Sequence, residues 1–257
     1  MICAIKSKTG ETGMLLLGVI AITGLLFVLI FTREVIAPAS GARCDRRWRI
    51  LAGSLNAASL LAVVAVGVVF DRLISQWSLF DLKAQVDPLS GGFIAFLVSS
   101  FLAYWWHRAT HISDTLWRFV HQLHHAPRRI EALTAFYLHP VDAFMAALLN
   151  AVVAYGVLGV SGLSLAFSLI LVSVFDLVAH ADQRTPHWLG YITQRPEMHR
   201  VHHQYGHHKQ NYGLPLWDML FGTFANPQAG PERCGFDDKR AAQIKDMLLF
   251  RDVHKGR

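Results

Sequence analysis

Two short stretches hold six of the fourteen histidines of this protein. "HQLHH" (121–125) and "HRVHH" (199–203) each gather three imidazoles within five positions, and "HRATH" (107–111) adds two more one helical turn apart. On a helix, residues spaced i, i+3 and i+4 lie on one face, so each stretch presents its rings together. Imidazole is the commonest metal ligand, and one turn is the spacing that lets two rings reach one ion. A lone histidine is ordinarily a hydrogen-bonded ring. Eight held together without a metal would repel one another on protonation, which favours ligation by His107, His111, His121, His124, His125, His199, His202 and His203. Eight exceed what one ion accepts, so two ions are expected. Cys3, Cys44 and Cys234 are far apart, with no CxxC spacing, so neither a thiolate site nor a disulfide framework is indicated. An imidazole field suits iron, zinc or copper. A structural zinc would be satisfied by four ligands and has no reason to sit at a membrane face, whereas a redox pair acting on lipid has one.

The elements that must position these rings are apolar. The chain has 257 residues, of which 53% are hydrophobic and only 16% charged, too few for an ordinary soluble domain. Met14–Phe31 and Leu51–Phe70 are long apolar runs, each sufficient at about 1.5 Å per residue to cross a hydrocarbon core of roughly 30 Å. The first resembles a secretory signal in its flanks, but its length favours a span. Leu89–Trp106 is a third run and ends in "YWW", directly before His107. Val141–Val160 and Leu163–Ala179, joined only by "SG", predict a tight helical hairpin that either crosses or dips into the membrane and returns. The tail from His180 is polar and broken by Pro and Gly.

Arg33, Arg43, Arg46, Arg47 and Arg49 crowd the first loop, whereas Asp71, Asp81 and Asp87 mark the second. By the positive-inside rule the first loop, the histidine stretches and the C-terminus are cytoplasmic. The net charge of +6 comes mostly from these flanking residues, which argues against a nucleic-acid partner.

The order of "HRATH", "HQLHH", "FYLHP" (136–140), "AHADQRTP" (179–186), "MHRVHH" (198–203), "NYG" (211–213) and "WDMLFGTF" (217–224) resembles the fatty acid hydroxylase superfamily, also called the sterol desaturase family. The resemblance covers about residues 89–226. It implies a membrane oxygenase with a histidine-ligated dinuclear centre, two iron ions, or zinc as isolated, using O2 and external electrons on lipids or sterols. It makes the eight histidines ligands and His180 the ninth. Branches of the family differ at two further places: some carry HxxxH where this chain has "DLVAH" with Asp176, others a histidine in a phrase like "FYLHP", here His139. Either residue is a candidate to complete a shell.

The sequence therefore predicts an all-α polytopic membrane bundle of four to five segments with a cytoplasmic histidine-rich helical cap. Residues 1–88 would hold two transmembrane helices, 89–226 the catalytic domain and 227–257 a polar tail. Hydroxylation of a lipid, fatty-acyl or sterol-like substrate is expected, or desaturation; a carotenoid-type ring hydroxylase and a non-catalytic metal-binding or transport protein are the alternatives. With no haem or flavin segment, electrons would come from a separate ferredoxin-like or cytochrome b5-like carrier, steered by Arg118, Arg128, Arg129, Arg200 and Lys209. About two of Asp114, Asp142, Asp182, Glu197 and Asp218 are expected to accept hydrogen bonds from ligating rings. Asn150 is read as an interhelical hydrogen bond within the fourth run.

Overall fold

A computed structural model describes residues 2–41, 45–73 and 77–255. Its regular structure among those residues is helical, with one isolated bridge between Gln204 and Cys234. The long helices are α1 (Ile2–Ile36), α2 (Arg46–Leu73), α3 (Pro88–Ile112), α4 (Pro140–Ala151) and α5 (Gly162–Ala179). A π-helical stretch over Val152–Leu158 prolongs α4. With that extension, five helical segments among the described residues are long and apolar enough to cross a membrane.

Local chemistry fixes their ends. Asp87 caps α3 by accepting from the backbone N–H groups of Leu89 and Ser90, with Pro88 pre-set for the first turn. Ser161 caps α5 in the same way. Gly159 ends the preceding segment at φ +61°, a left-handed conformation open to glycine, and the "SG" hairpin follows from it. Apolar side chains such as Leu17, Leu25 and Leu29 project outward from α1, as lipid contact requires.

Small residues let the bundle close. At Gly92 of α3 a β-carbon would lie 2.6 Å from the carbonyl oxygen of Ser164 in α5, so only hydrogen permits this approach. α3 packs against both α4 and α5, with α1 against α5 and α2 against α4. The polar segments between and after these helices form the cap.

The tail does not stand apart. Phe236, Met247 and Val253 share one buried cluster with Ala52 and Leu55 of α2 and with Leu123, Ala126 and Tyr137 beside the histidines. The two N-terminal helices also reach the cap through polar contacts. Buried Glu34, near the end of α1, accepts from the backbone N–H groups of Ala132 and Asp182. Asp182 accepts in turn from the backbone N–H and hydroxyl of Ser40 and from Arg129 Nε. From α2, Trp48 donates to Glu131, Asn56 to the Leu133 carbonyl and Ser59 to the Phe136 carbonyl.

Candidate metal centre

Nine histidines converge at the cap end of α3, α4 and α5, in two groups. His107, His111, His121, His125 and His202 form one, and His124, His180, His199 and His203 the other; within each group, one ligand atom per residue lies within 4.8 Å of all the rest. These are the nine histidines singled out from the sequence. Each three-histidine stretch is divided between the groups. His121 and His125 enter the five-histidine group while His124 enters the other; His199 and His203 enter the four-histidine group while His202 crosses to the first. The first stretch is not a regular α-helix. Trp117–His121 is π-helical and the chain then turns, so only the second stretch, whose first two rings lie on the helix α6 (Pro196–His202), has the simple helical form expected.

The rings are oriented by what holds their Nδ1 atoms. His107 Nδ1 meets the Tyr212 carbonyl at 2.6 Å, His202 Nδ1 the Gln210 carbonyl at 2.8 Å, and His180 Nδ1 the Asp176 carbonyl at 2.7 Å. His199 Nδ1 lies 2.6 Å from Gln194 Oε1, whose amide orientation is fixed because Nε2 donates to the carbonyls of Asn211 and Gly213. His121 and His124 make longer contacts of 3.4 Å, to Asp142 and to the Tyr137 carbonyl. Oxygen acceptors require each Nδ1 to carry the hydrogen, which leaves a lone pair on Nε2.

The Nε2 atoms face one another. His121 Nε2 lies 2.9 Å from His107 Nε2 and 3.1 Å from His125 Nε2, which is itself 3.1 Å from His202 Nε2. In the other group His199 Nε2 lies 2.8 Å from His180 Nε2 and 3.0 Å from His203 Nε2. In the pairs His107–His121 and His180–His199 both Nδ1 atoms are held by oxygen, so acceptor faces acceptor and the two repel unless a cation sits among them; among the described residues His111 Nε2 and His203 Nδ1 are buried nitrogens with no partner. The donor sets therefore fit two metal ions. Burial, followed by the charge of neighbouring rings, holds His124, His125, His199, His202 and His203 well below the usual imidazole range. Burial takes His180 down to about 4. Neutral rings are the form that ligates.

The two further candidates fall differently. His139 belongs to neither group: its Nδ1 accepts from the Val141 N–H as the cap of α4, and Nε2 faces the Leu248 carbonyl at 3.4 Å. Both nitrogens are engaged, so the "FYLHP" histidine shapes a helix start. Asp176 is also outside both groups, but it stands one turn before His180 and lines the cavity described below.

Of the five acids, Asp142 is the one that meets a candidate ligand ring among the described residues. Asp218 works one step removed: its carboxylate accepts from the backbone N–H groups of Tyr212 and Gly213 and from the Thr223 hydroxyl, fixing the loop that turns the Tyr212 carbonyl toward His107. Burial pushes Asp218 up to about 6 against these hydrogen bonds. Asp182 belongs to the Glu34 network, Glu197 holds Thr185 and pairs with Arg195, and Asp114 pairs with Lys255. The loop reaches its shape through positive φ at His208, Gln210 and Asn211, and buried Asn211 bonds the Met198 and Ala225 carbonyls. Gln194, Gln210 and Tyr212 were not among the sequence-derived site residues, because two of them act through backbone carbonyls. His208 meets His125 Nδ1 at 3.1 Å, while His207 bonds Gln210. Arg129 is buried between Asp182 and Glu131, and Arg128 pairs with Asp238, so the expected basic docking face is reduced.

A cavity of about 210 Å³ lies between α3, α4 and α5 and ends on His107 and His121 of one group and His124, His180 and His199 of the other.

This arrangement defines a histidine-box membrane protein. The fatty acid hydroxylase family model matches residues 92–223, more than half of the chain, and the protein belongs to that family. The chain is 28% identical to the sphingolipid C4-hydroxylase of Schizosaccharomyces pombe over 150 residues, 56% of this chain and 51% of that protein. It is 31% identical to the ornithine lipid hydroxylase of Rhizobium tropici over 140 residues (52% and 41%). Identity to a methylsterol monooxygenase of Aspergillus fumigatus is 30% over 171 residues (58% and 51%). The chain thus spans about half the length of these curated relatives. No solved structure matches it.

Proposed function

We propose that this protein is an O2-dependent lipid hydroxylase in which the nine histidines hold two iron ions. The observation that carries this reading is the inward set of Nε2 lone pairs, fixed by Nδ1 hydrogen bonds, at the end of a cavity between membrane-spanning helices. Bound iron would supply what side chains lack, the activation of O2 for attack on an unactivated C–H bond. The balanced reaction is R–H + O2 + 2 e⁻ + 2 H⁺ → R–OH + H2O. The two electrons come from a separate ferredoxin-like or cytochrome b5-like carrier. Desaturation would use the same oxidant and electrons and differ only in loss of a second hydrogen.

The chain's own residues orient and exclude. Tyr212, Gln210, Gln194 and Asp142 hold the ring tautomers, and Ala135, Leu138, Val172 and Phe175 give the cavity apolar walls along which an alkyl segment can lie. At about 210 Å³ the cavity is smaller than a typical ligand pocket of roughly 300–1,000 Å³, so it suits a segment of a lipid whose remainder stays in the bilayer. Asp176 and His180 are spaced as His107 and His111 are, so Asp176 occupies in the four-histidine group the sequence position that His107 has in the five-histidine group. Its carboxylate stands outside both groups and lines the cavity beside them, so we assign it to the wall next to that shell and not to the shell itself.

The relatives named as sphingolipid, ornithine lipid and methylsterol oxygenases support a lipid or sterol substrate. A transporter would require ligands along a path through the spans, whereas the two groups sit together at one end. The test is elemental analysis with lipid mass spectrometry of cells with and without the gene. Two ions per chain and an oxygenated lipid that disappears in both His124→Ala and His202→Ala, one variant for each group, are expected. Metal-free protein from freshly isolated membranes would overturn the proposal.

A further inference from the structure

The cavity is not uniformly apolar below the metal centre. Ser99 of α3 is 3% exposed, and its hydroxyl has no hydrogen-bond partner among the described residues. Asn150, at the end of α4, donates from Nδ2 to the Ala146 carbonyl of its own helix, so the expected interhelical bond is not the one made. Its buried Oδ1 has no partner. Both residues line the cavity. Inside a membrane-spanning bundle, an unsatisfied polar atom carries a cost that an apolar residue would avoid.

Their depths agree. Ser99 precedes His107 by eight residues, and Asn150 follows Asp142, which touches His121, by eight. At 1.5 Å per residue each lies about 12 Å along its helix from the histidine layer. Asn150 Oδ1 can only accept, whereas a serine hydroxyl both donates and accepts. A substrate hydroxyl satisfies both; a carbonyl or ether oxygen would leave Asn150 unpaired, and a hydrocarbon would leave both.

We propose that Ser99 and Asn150 form a specificity subsite for a lipid hydroxyl lying about 12 Å from the carbon presented to the metal centre. The inference rests on the lipid-hydroxylase reading and adds a requirement on the substrate: it carries a hydroxyl remote from the position oxidised. These are positioning residues. They act on which lipid is held and in what register.

The test is equilibrium binding to the metal-loaded protein in lipid nanodiscs, without reductant so that no turnover occurs. Two probe pairs differ by one hydroxyl, 12-hydroxyoctadecanoate against octadecanoate and cholestanol against cholestane. The hydroxylated member of at least one pair should bind about three- to tenfold tighter, the range expected of one or two net hydrogen bonds. That preference should vanish in Ser99→Ala or Asn150→Leu and persist in Ser99→Thr, which keeps the hydroxyl and serves as the folding control. No preference in either pair, or a preference unchanged in both Ser99→Ala and Asn150→Leu, would overturn the subsite. Failure of the oxygenase reading shows separately, as absent metal or absent lipid oxidation, and neither measurement alters a hydroxyl preference read as binding.

Discussion

Gln194 offers the sharpest test of how the two ions are held. It is 2% exposed, its Oε1 lies 2.6 Å from His199 Nδ1, and its Nε2 serves two carbonyls of the loop that also orients His107. Gln194→Leu removes both functions. Losing an acceptor behind a ligating histidine typically costs about 10–100-fold in metal affinity, roughly 1.4–2.7 kcal/mol. The loss should fall on the four-histidine site, because His199 belongs to that group alone. Orphaning the Asn211 and Gly213 carbonyls adds a stability cost of about 1–3 kcal/mol for each buried group. Gln194→Glu separates the two effects. A carboxylate keeps an acceptor for His199 but presents oxygen where the loop carbonyls need a donor, so stability should fall while metal affinity holds. The assay is chelator titration with elemental analysis, beside thermal unfolding. Gln194→Leu should retain one ion under chelator concentrations that leave two in the wild type. If both ions were lost together, or if Leu and Glu released metal alike, the assignment of His199 to a separate site held through Gln194 would be refuted.

Two further outcomes are expected. The depressed histidine pKa values make the metal-free fold acid-sensitive: the neutral rings contribute fully above the unfolded value near 6.5, and His180 loses its share as pH falls from there toward about 4, on the order of 3 kcal/mol for that residue. Thermal unfolding of chelator-treated protein between pH 7.5 and 5 checks this, and a flat profile contradicts it. Reporters fused after Arg128 and after Lys255 should both read cytoplasmic and one near Gln85 external; opposite readings for the first two would show that the 140–179 hairpin does not return to its starting side.

The clustered histidines were legible because their physics is local and repetitive. Histidine spacing in "HRATH", "HQLHH" and "HRVHH" announces ring pairs, and apolar length announces the spans that carry them. What spacing could not show was the division of rings between sites. That depends on the π-helical turn before His121 and on the crossing of His124 and His202, which are tertiary facts. The orienting groups were less legible still. A backbone carbonyl such as that of Gln210 or Tyr212 has no signature in residue type, and its aim is set by positive-φ residues and by Asp218 several positions away. His139 shows the limit of residue type: a histidine before proline resembles a ligand, and here its ring nitrogen caps the helix that the proline starts.

The two N-terminal helices lie outside the region that the family model matches, and the structure gives them a mechanical part. A ligand shell must be held to within a fraction of an ångström, and the segment from His125 to His139 is mostly loop and single turns, which cannot hold itself that rigidly. Glu34 fastens the Ala132 and Asp182 backbones together, and Asp182 is two residues from His180. From the other side α2 grips the Leu133 and Phe136 carbonyls through Asn56 and Ser59. Buried hydrogen-bonded carboxylates are poor sources of net stability, because their desolvation offsets what they gain, but they tolerate few alternative geometries. Tying the loop that follows His125 to the backbone beside His180 is a use for which that intolerance is an advantage. The cavity is built by α3, α4 and α5, while the loop carrying His124 and His125 toward His139 is braced by α1 and α2, so the chain separates the parts that would select substrate from the parts that keep the centre in register.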